Sequence, residues 1–189
     1  MQEIPREDFV SELLKQLAFS DTELPLDNNQ FMLAPKIEAK ILQAVQVKSG
    51  DKILEIGTGS GYLTALLASK ASSVHSLDIY QDFLDDAKLK TEALELNNIN
   101  FEKADLFNYD LSDKKYDVIV VGGSVKTMPE SLKQALTNKG RLFIVCGKSP
   151  VMLAKLFTRI DSDQWMEEIL FETEIPGLEN NPVDCEFVF

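Results

Sequence analysis

Leu54-Glu55-Ile56-Gly57-Thr58-Gly59-Ser60-Gly61-Tyr62 is the stretch from which the rest of the chain is best read. The apolar run Lys52–Ile56 predicts a strand, and residues 62–69 carry apolar side chains at helical spacing. Three glycines at alternate positions separate the two. A strand, a glycine turn and a helix, in that order, place a backbone loop at the carboxyl edge of a sheet. Open α/β sheets hold their ligands at that edge. Asp78, about 20 residues on, closes a second strand over residues 74–78. An acidic side chain there can hold two ribose hydroxyls. It is expected at an exposed strand end.

Working outward, the same texture continues. Residues 81–96 predict a helix, Ile99–Lys103 a strand, 116–121 a strand, 129–136 a helix and 141–146 a strand. Strands alternating with helices predict a parallel sheet covered on both faces. Residues 151–160 and 165–174 are both strand-like with no helix between them, so they predict an antiparallel hairpin at the sheet edge. Trp165 and Phe171 are expected in the core. On the amino-terminal side, Phe9, Val10, Leu13, Leu14 and Leu17 predict a helix over residues 6–19, with Pro5 suited to its first turn. Residues 21–29 read as irregular. A second helix is expected from about Pro35, presenting Ile37, Ile41, Leu42 and Val45. The expected architecture is a Rossmann-like α/β domain spanning residues 1–189, with a mostly parallel seven-stranded sheet and a C-terminal antiparallel hairpin. Residues 1–50 would form a helical cap and substrate-side loop, and 51–189 the cofactor-binding sheet.

Composition narrows the function. The chain has 189 residues, with 31 acidic and 19 basic side chains and a formal charge of −12. That field repels a phosphate backbone, and no basic run is present, so no nucleic-acid partner is expected. Two cysteines and one histidine cannot build a zinc site of the usual kind, and no metal is expected. Cys146, inside an apolar run, reads as a buried reduced thiol. His75 lies within a strand and reads as structural. There is then no histidine for a nucleophile–histidine–acid set. No stretch approaches a membrane span, the start lacks a signal-peptide pattern, and a cytoplasmic protein is expected.

The glycine spacing bears on the ligand. A dinucleotide fingerprint reads G-x-G-x-x-G, and Tyr62 stands where its last glycine would be. S-adenosylmethionine has no pyrophosphate to cradle. It needs close backbone approach, which Gly57 and Gly59 allow, and its cationic groups favour a carboxylate such as Glu55. Asp105, after the third strand, can accept from the adenine amine or can cap a turn. The candidate cofactor contacts are Glu55, Gly57, Thr58, Gly59, Ser60, Gly61, Asp78, Ile79, Asp105, Leu106 and Gly122. No catalytic residue is nominated. A carboxylate acceptor is ionised at neutral pH and needs no base, so methyl transfer to it can rest on positioning. The fourth strand ends Val121-Gly122-Gly123-Ser124, which lacks the Asn-Pro-Pro-aromatic signature of amino-methylating nucleic-acid enzymes.

These residues resemble the protein-L-isoaspartate O-methyltransferase family, in a divergent bacterial branch. Pro5-Arg6 with Phe9-Val10, Leu24-Pro25-Leu26, Gln30 through Pro35, the glycine motif and Lys139-Gly140-Arg141-Leu142 all resemble family signatures, from Ile4 to about Gly147. The resemblance implies S-adenosyl-L-methionine as cofactor, with S-adenosyl-L-homocysteine as product. It also implies a cytosolic repair role, methylating the abnormal carboxyl of isoaspartyl residues in a protein or peptide. Gly57, Gly59, Asp78 and Asp105 would contact the cofactor. Gln30, Phe31, Met32 and Leu33 would face the substrate. The family loop reads Gly-x-Gly-Gln-Thr-x-Ser-x-Pro; here Phe31 and Leu33 replace both hydroxyl residues. Two rival readings remain: a cofactor-binding protein of this fold with lost or changed acceptor specificity, and a nicotinamide-dependent oxidoreductase.

Overall fold

The computed structural model describes residues 4–182. Its elements, in chain order, are β1 (Leu24–Pro25), β2 (Phe31–Met32), α1 (Pro35–Val45), β3 (Lys52–Ile56), α2 (Tyr62–Ala68), β4 (Ser73–Asp78) and α3 (Gln81–Ala93). There follow β5 (Ile99–Lys103), β6 (Tyr116–Val125), α4 (Glu130–Gln134), β7 (Leu136–Lys148), β8 (Val151–Asp161) and β9 (Gln164–Glu172). Seven strands form one sheet in the order β5-β4-β3-β6-β7-β8-β9. The pairs from β5 to β7 are parallel. β8 pairs antiparallel with β7, and β9 with β8.

Strand composition explains the layers. Along β6, Val118 and Val120 point into one core cluster, with Ile37, Ile41, Leu63 and Leu67 of the helices. Ile119 and Val121 point into the other, with Leu132, Leu136 and Leu142. A strand that is apolar on both faces is the mark of a parallel sheet covered on both sides. Trp165 and Phe171 are half-buried and pack against these two clusters. Among the described residues, no helix is long and apolar enough to cross a membrane.

The topology makes a crevice. From β3 the chain builds β4 and β5 on one side, then returns to β6 on the other. Sheets of this kind open at the carboxyl ends of the strands where the direction reverses. Register sharpens the point: Ile56 sits opposite Leu77 in β4 and opposite Val121 in β6. The next residues on each strand, Gly57, Asp78 and Gly122, therefore emerge together.

The amino-terminal segment departs from expectation. Residues 6–19 form two short 3₁₀ turns, Arg6–Phe9 and Glu12–Leu17, rather than one α-helix. Phe9 and Val10 are buried, but Leu13 is 95% exposed. The cause is Arg6, which is buried and donates through Nε to the Ala18 carbonyl at 2.6 Å and through Nη2 to the Leu33 carbonyl at 2.6 Å. It also pairs with Glu38. A guanidinium satisfied by carbonyls from two separate stretches folds the segment back on itself. Residues 21–29 are not wholly irregular either. Leu24 pairs with Met32 and Pro25 with Phe31 in a two-stranded ribbon. Its turn places Asn28 at φ 55° and Asn29 at φ 56°, a region asparagine tolerates better than most residues.

Gly61 shows how the glycine motif serves the fold. It has φ +82°, and a Cβ there would lie 2.6 Å from the Cβ of Ala87 on α3. It allows close packing of the loop on α3. Gly61→Ala is expected to lower unfolding free energy by at least about 1–2 kcal/mol from the left-handed backbone alone, as read by urea denaturation. Unchanged stability would contradict this placement.

Candidate active site

The crevice is a cleft of about 740 Å³, counting the part open to solvent. Gly57, Gly59, Asp78, Ile79, Asp105, Leu106 and Gly122 line it from the strand ends, and Gln30, Phe31 and Leu33 line it from the amino-terminal loop. The β5–β4–β3–β6 register and the ribbon of β1 and β2 thus bring together most of the positions nominated from sequence.

Asp78 is the most constrained of these. Its Oδ2 accepts the Gly59 amide at 3.0 Å and its Oδ1 the Tyr80 amide at 3.0 Å. The expectation of an exposed strand end is corrected: Asp78 is 8% exposed. Burial raises its pKa, while amides of Gly59, Tyr80, Ile79 and Thr58 oppose that rise. A carboxylate offers about four lone-pair directions. Two are used by backbone amides, leaving one acceptor site on each oxygen for a pair of hydroxyls. Asp105 serves two ends at once. It caps the 3₁₀ turn Leu106–Asn108, taking the Phe107 amide at 3.0 Å, and it lines the cleft.

Five nominated residues lie off the cleft wall. Glu55 is fully buried, and its Oε2 takes the Thr64 hydroxyl at 2.5 Å and the Ser76 hydroxyl at 2.6 Å. Strand alternation turns it beneath the glycine loop, toward α2. The Thr58 hydroxyl pairs with Ser76 at 2.6 Å, and the Ser60 hydroxyl accepts the Tyr62 amide at 3.3 Å. The Thr58 side chain is spent on β4 and the Ser60 side chain within the loop. Gly61 packs on α3. Met32 is buried in the cluster that includes Phe9 and Leu24. Conversely, sequence reading missed Leu26, Tyr80, Phe83, Phe107 and residues 176–179, all of which line the cleft. The Pro176-Gly177 dipeptide is a turn signal, but nothing local shows that the turn crosses back to the site. His75 stays outside it, held between Tyr116 at 2.9 Å and Glu102 at 2.7 Å, and burial lowers its pKa. Cys146 is a half-buried free thiol. Cys185 lies outside the described residues.

The sequence pattern of the protein-L-isoaspartate(D-aspartate) O-methyltransferases matches residues 1–174. A protein-L-isoaspartate O-methyltransferase of Vibrio atlanticus is 31% identical over 176 residues, 92% of this chain and 85% of the relative. One from Proteus mirabilis is 33% identical over 180 residues, 94% of this chain and 86% of the relative. The chain belongs to the protein-L-isoaspartate(D-aspartate) O-methyltransferase family. The fold agrees. A Plasmodium falciparum structure of that name, in complex with S-adenosyl-L-homocysteine, superposes with TM-score 0.81 at 22% identity, covering 93% of this chain and 86% of the other.

Within the family frame, the loop departures acquire positions. Phe31 is 45% exposed at the cleft, whereas Leu33 is 7% exposed and part of the core. Leu33 is therefore a packing residue as well as a wall, and its carbonyl is the one held by Arg6.

Glu55 also makes the fold sensitive to pH. Its carboxyl titrates ordinarily near 4.5, and burial pushes it up to about 7, opposed by bonds from Ser76 and Thr64. Below the ordinary value both folded and unfolded chains carry the proton, and the full contribution to stability is present. As pH rises toward 7 the unfolded chain ionises first, so that contribution is lost. Wild-type stability should fall relative to Glu55→Gln between pH 4.5 and 8, by on the order of 1–3 kcal/mol. Urea unfolding of both proteins across that range, without ligand, checks it; a constant difference would contradict it.

Proposed function

We propose that this chain transfers the methyl group of S-adenosylmethionine to a carboxylate of a protein or peptide, the reaction for which its family is named. The observation that carries this reading is the convergence of Gly57, Asp78, Asp105 and Gly122 on one cleft in a chain of this family. S-adenosylmethionine, when bound, supplies an electrophilic methyl on a sulfonium. The residues present fit it. Asp78 keeps two free acceptor positions for ribose hydroxyls. Asp105 keeps one acceptor position for an amine, on the Oδ1 that takes the Phe107 amide, since its Oδ2 is bonded to Asn108 and Asn180, and Ile79, Leu106 and Phe107 offer apolar walls. The absence of Cβ atoms at Gly57 and Gly59 allows close approach of the methionyl part. The charged side chains on the cleft wall are Asp78, Asp105 and Glu179, a sign that favours a cationic ligand. An acceptor carboxylate needs no base, so the chain's task is to orient it and keep water out.

In this reading residues 4–50 form the acceptor-side cap, and residues 51–182 carry the cofactor-binding sheet. A cytoplasmic site of action is supported by the free thiol of Cys146.

A test of cofactor placement uses Asp78→Asn, which keeps shape and one carbonyl acceptor but loses the charge. Affinity for S-adenosylhomocysteine should fall by about 1.5–3 kcal/mol in titration calorimetry. An unchanged dissociation constant would move the ribose elsewhere.

The acceptor side favours a narrowed reading. Where the family loop has two hydroxyls, the acceptor carboxylate meets Phe31 and Leu33. Desolvating an oxygen without a partner costs on the order of 1–3 kcal/mol, or roughly 10- to 100-fold in rate. With labelled cofactor, an isoaspartyl peptide should accept methyl as a base-labile ester, more slowly than with a family member that keeps both hydroxyls. Its ordinary aspartyl counterpart should not react. Phe31→Thr should raise the rate; Leu33→Ser is a poor companion because Leu33 is in the core. Turnover equal to that of the hydroxyl-bearing enzyme would refute the narrowed reading. No labelled ester on the peptides or on protein from a cell extract would favour a cofactor-binding protein without transfer.

A further inference from the structure

Residues 176–180 cross the mouth of the cleft and are fastened at both ends of the crossing. The Ser124 amide donates to the Pro176 carbonyl at 2.8 Å, and the Leu178 amide to the Ser124 carbonyl at 2.9 Å. This short parallel pairing continues the end of β6. The Leu178 side chain lies against Gly123, where a Cβ would sit 2.8 Å from its Cδ2. The next two side chains reach opposite halves of the site. Glu179 Oε1 accepts from Gln30 Nε2 at 3.1 Å, on the acceptor loop. Asn180 Nδ2 donates to Asp105 Oδ2 at 3.0 Å, on the strand-end side.

We propose that Glu179 is a positioning residue which, by holding Gln30, latches the 176–180 segment over the cleft and ties the acceptor loop to retention of the cofactor. This rests on the function proposed above. The backbone pairing with Ser124 fixes residues 176–178 beside the end of β6. The exposed Gln30–Glu179 bond is the part that can open and reclose, because a solvated hydrogen bond contributes little net free energy. Gln30 also donates to the Asn28 carbonyl at 3.2 Å, and Asn28 donates to Asp82 of α3 at 3.0 Å. A latch on Gln30 is therefore anchored to a loop that is itself pinned to the fold. An acceptor that engages the Gln30 amide competes directly with Glu179, so acceptor arrival and cofactor release share one bond.

The test is the dissociation rate of S-adenosylhomocysteine from the full chain, measured by surface plasmon resonance. Glu179→Ala and Gln30→Ala are each expected to speed release about three- to tenfold. The double variant should be no faster than the quicker single one, because both remove the same bond. Glu179→Gln should release more slowly than Glu179→Ala, since its amide oxygen still accepts from Gln30. Equal release from wild type and Glu179→Ala, or additive effects in the double variant, would overturn the latch. A fall in ligand-free melting temperature with unchanged release would show a merely structural role and overturn it as well. A wild-type chain that binds no S-adenosylhomocysteine would overturn the cofactor reading itself, and the latch with it.

Discussion

The Asp78 carboxylate takes the Gly59 amide on one oxygen and the Tyr80 amide on the other, and so joins the loop after β3 to the end of β4. The glycine loop can then hold its left-handed turns at Gly57, Gly59 and Gly61 with a brace beyond its own Thr58 and Ser60 side chains. The bracing comes from the neighbouring strand. The carboxylate is buried, yet each oxygen keeps an acceptor direction free. One residue therefore fixes the shape of the cleft and remains able to bind in it. Position at the carboxyl edge follows from the shared register of Ile56, Leu77 and Val121. Remove that register and Gly57, Asp78 and Gly122 no longer face one space.

Beneath this edge lies a second polar layer. Glu55, Thr58, Thr64 and Ser76 bond to one another under the loop, and one Glu55 oxygen is buried without a hydrogen-bond partner among the described residues. A buried carboxyl of this kind is costly when ionised, which accounts for its raised pKa. It serves the glycine loop from below and does not reach the ligand space. Above the edge, Arg6 plays the corresponding part for the acceptor side by holding the Leu33 carbonyl.

The sheet was legible where side-chain periodicity was strong and local. Ile99–Lys103 matches its strand residue for residue, and the alternation of strands and helices implied the parallel arrangement. Strand ends were less legible. β6 continues through Gly122-Gly123 to Val125, because the shift in pairing between Val120 and Ser124 accommodates glycines that read as a stop. β7 begins at Leu136, ahead of a Lys139-Gly140 pair that looks like a turn and does carry Lys139 at φ 65°. Residues 6–19 misled because apolar spacing suggested a helix, while one arginine's distant partners decided the path. Spacing was enough to bring Gly57, Asp78 and Asp105 to one cleft. It could not show that Glu55 turns under the loop, nor that residues 176–179 return across the cleft, since both depend on contacts between distant parts of the chain.

The central claim is that this carboxyl edge, shaped by Asp78, is where the adenosyl group sits. A crystal structure of the chain grown with S-adenosylhomocysteine tests it most directly. The account requires ribose hydroxyls within hydrogen-bond distance of both Asp78 oxygens and the adenine beside Asp105 and Leu106. Ligand density elsewhere, or a ribose held by other side chains with Asp78 still bound only to its backbone partners, would contradict it.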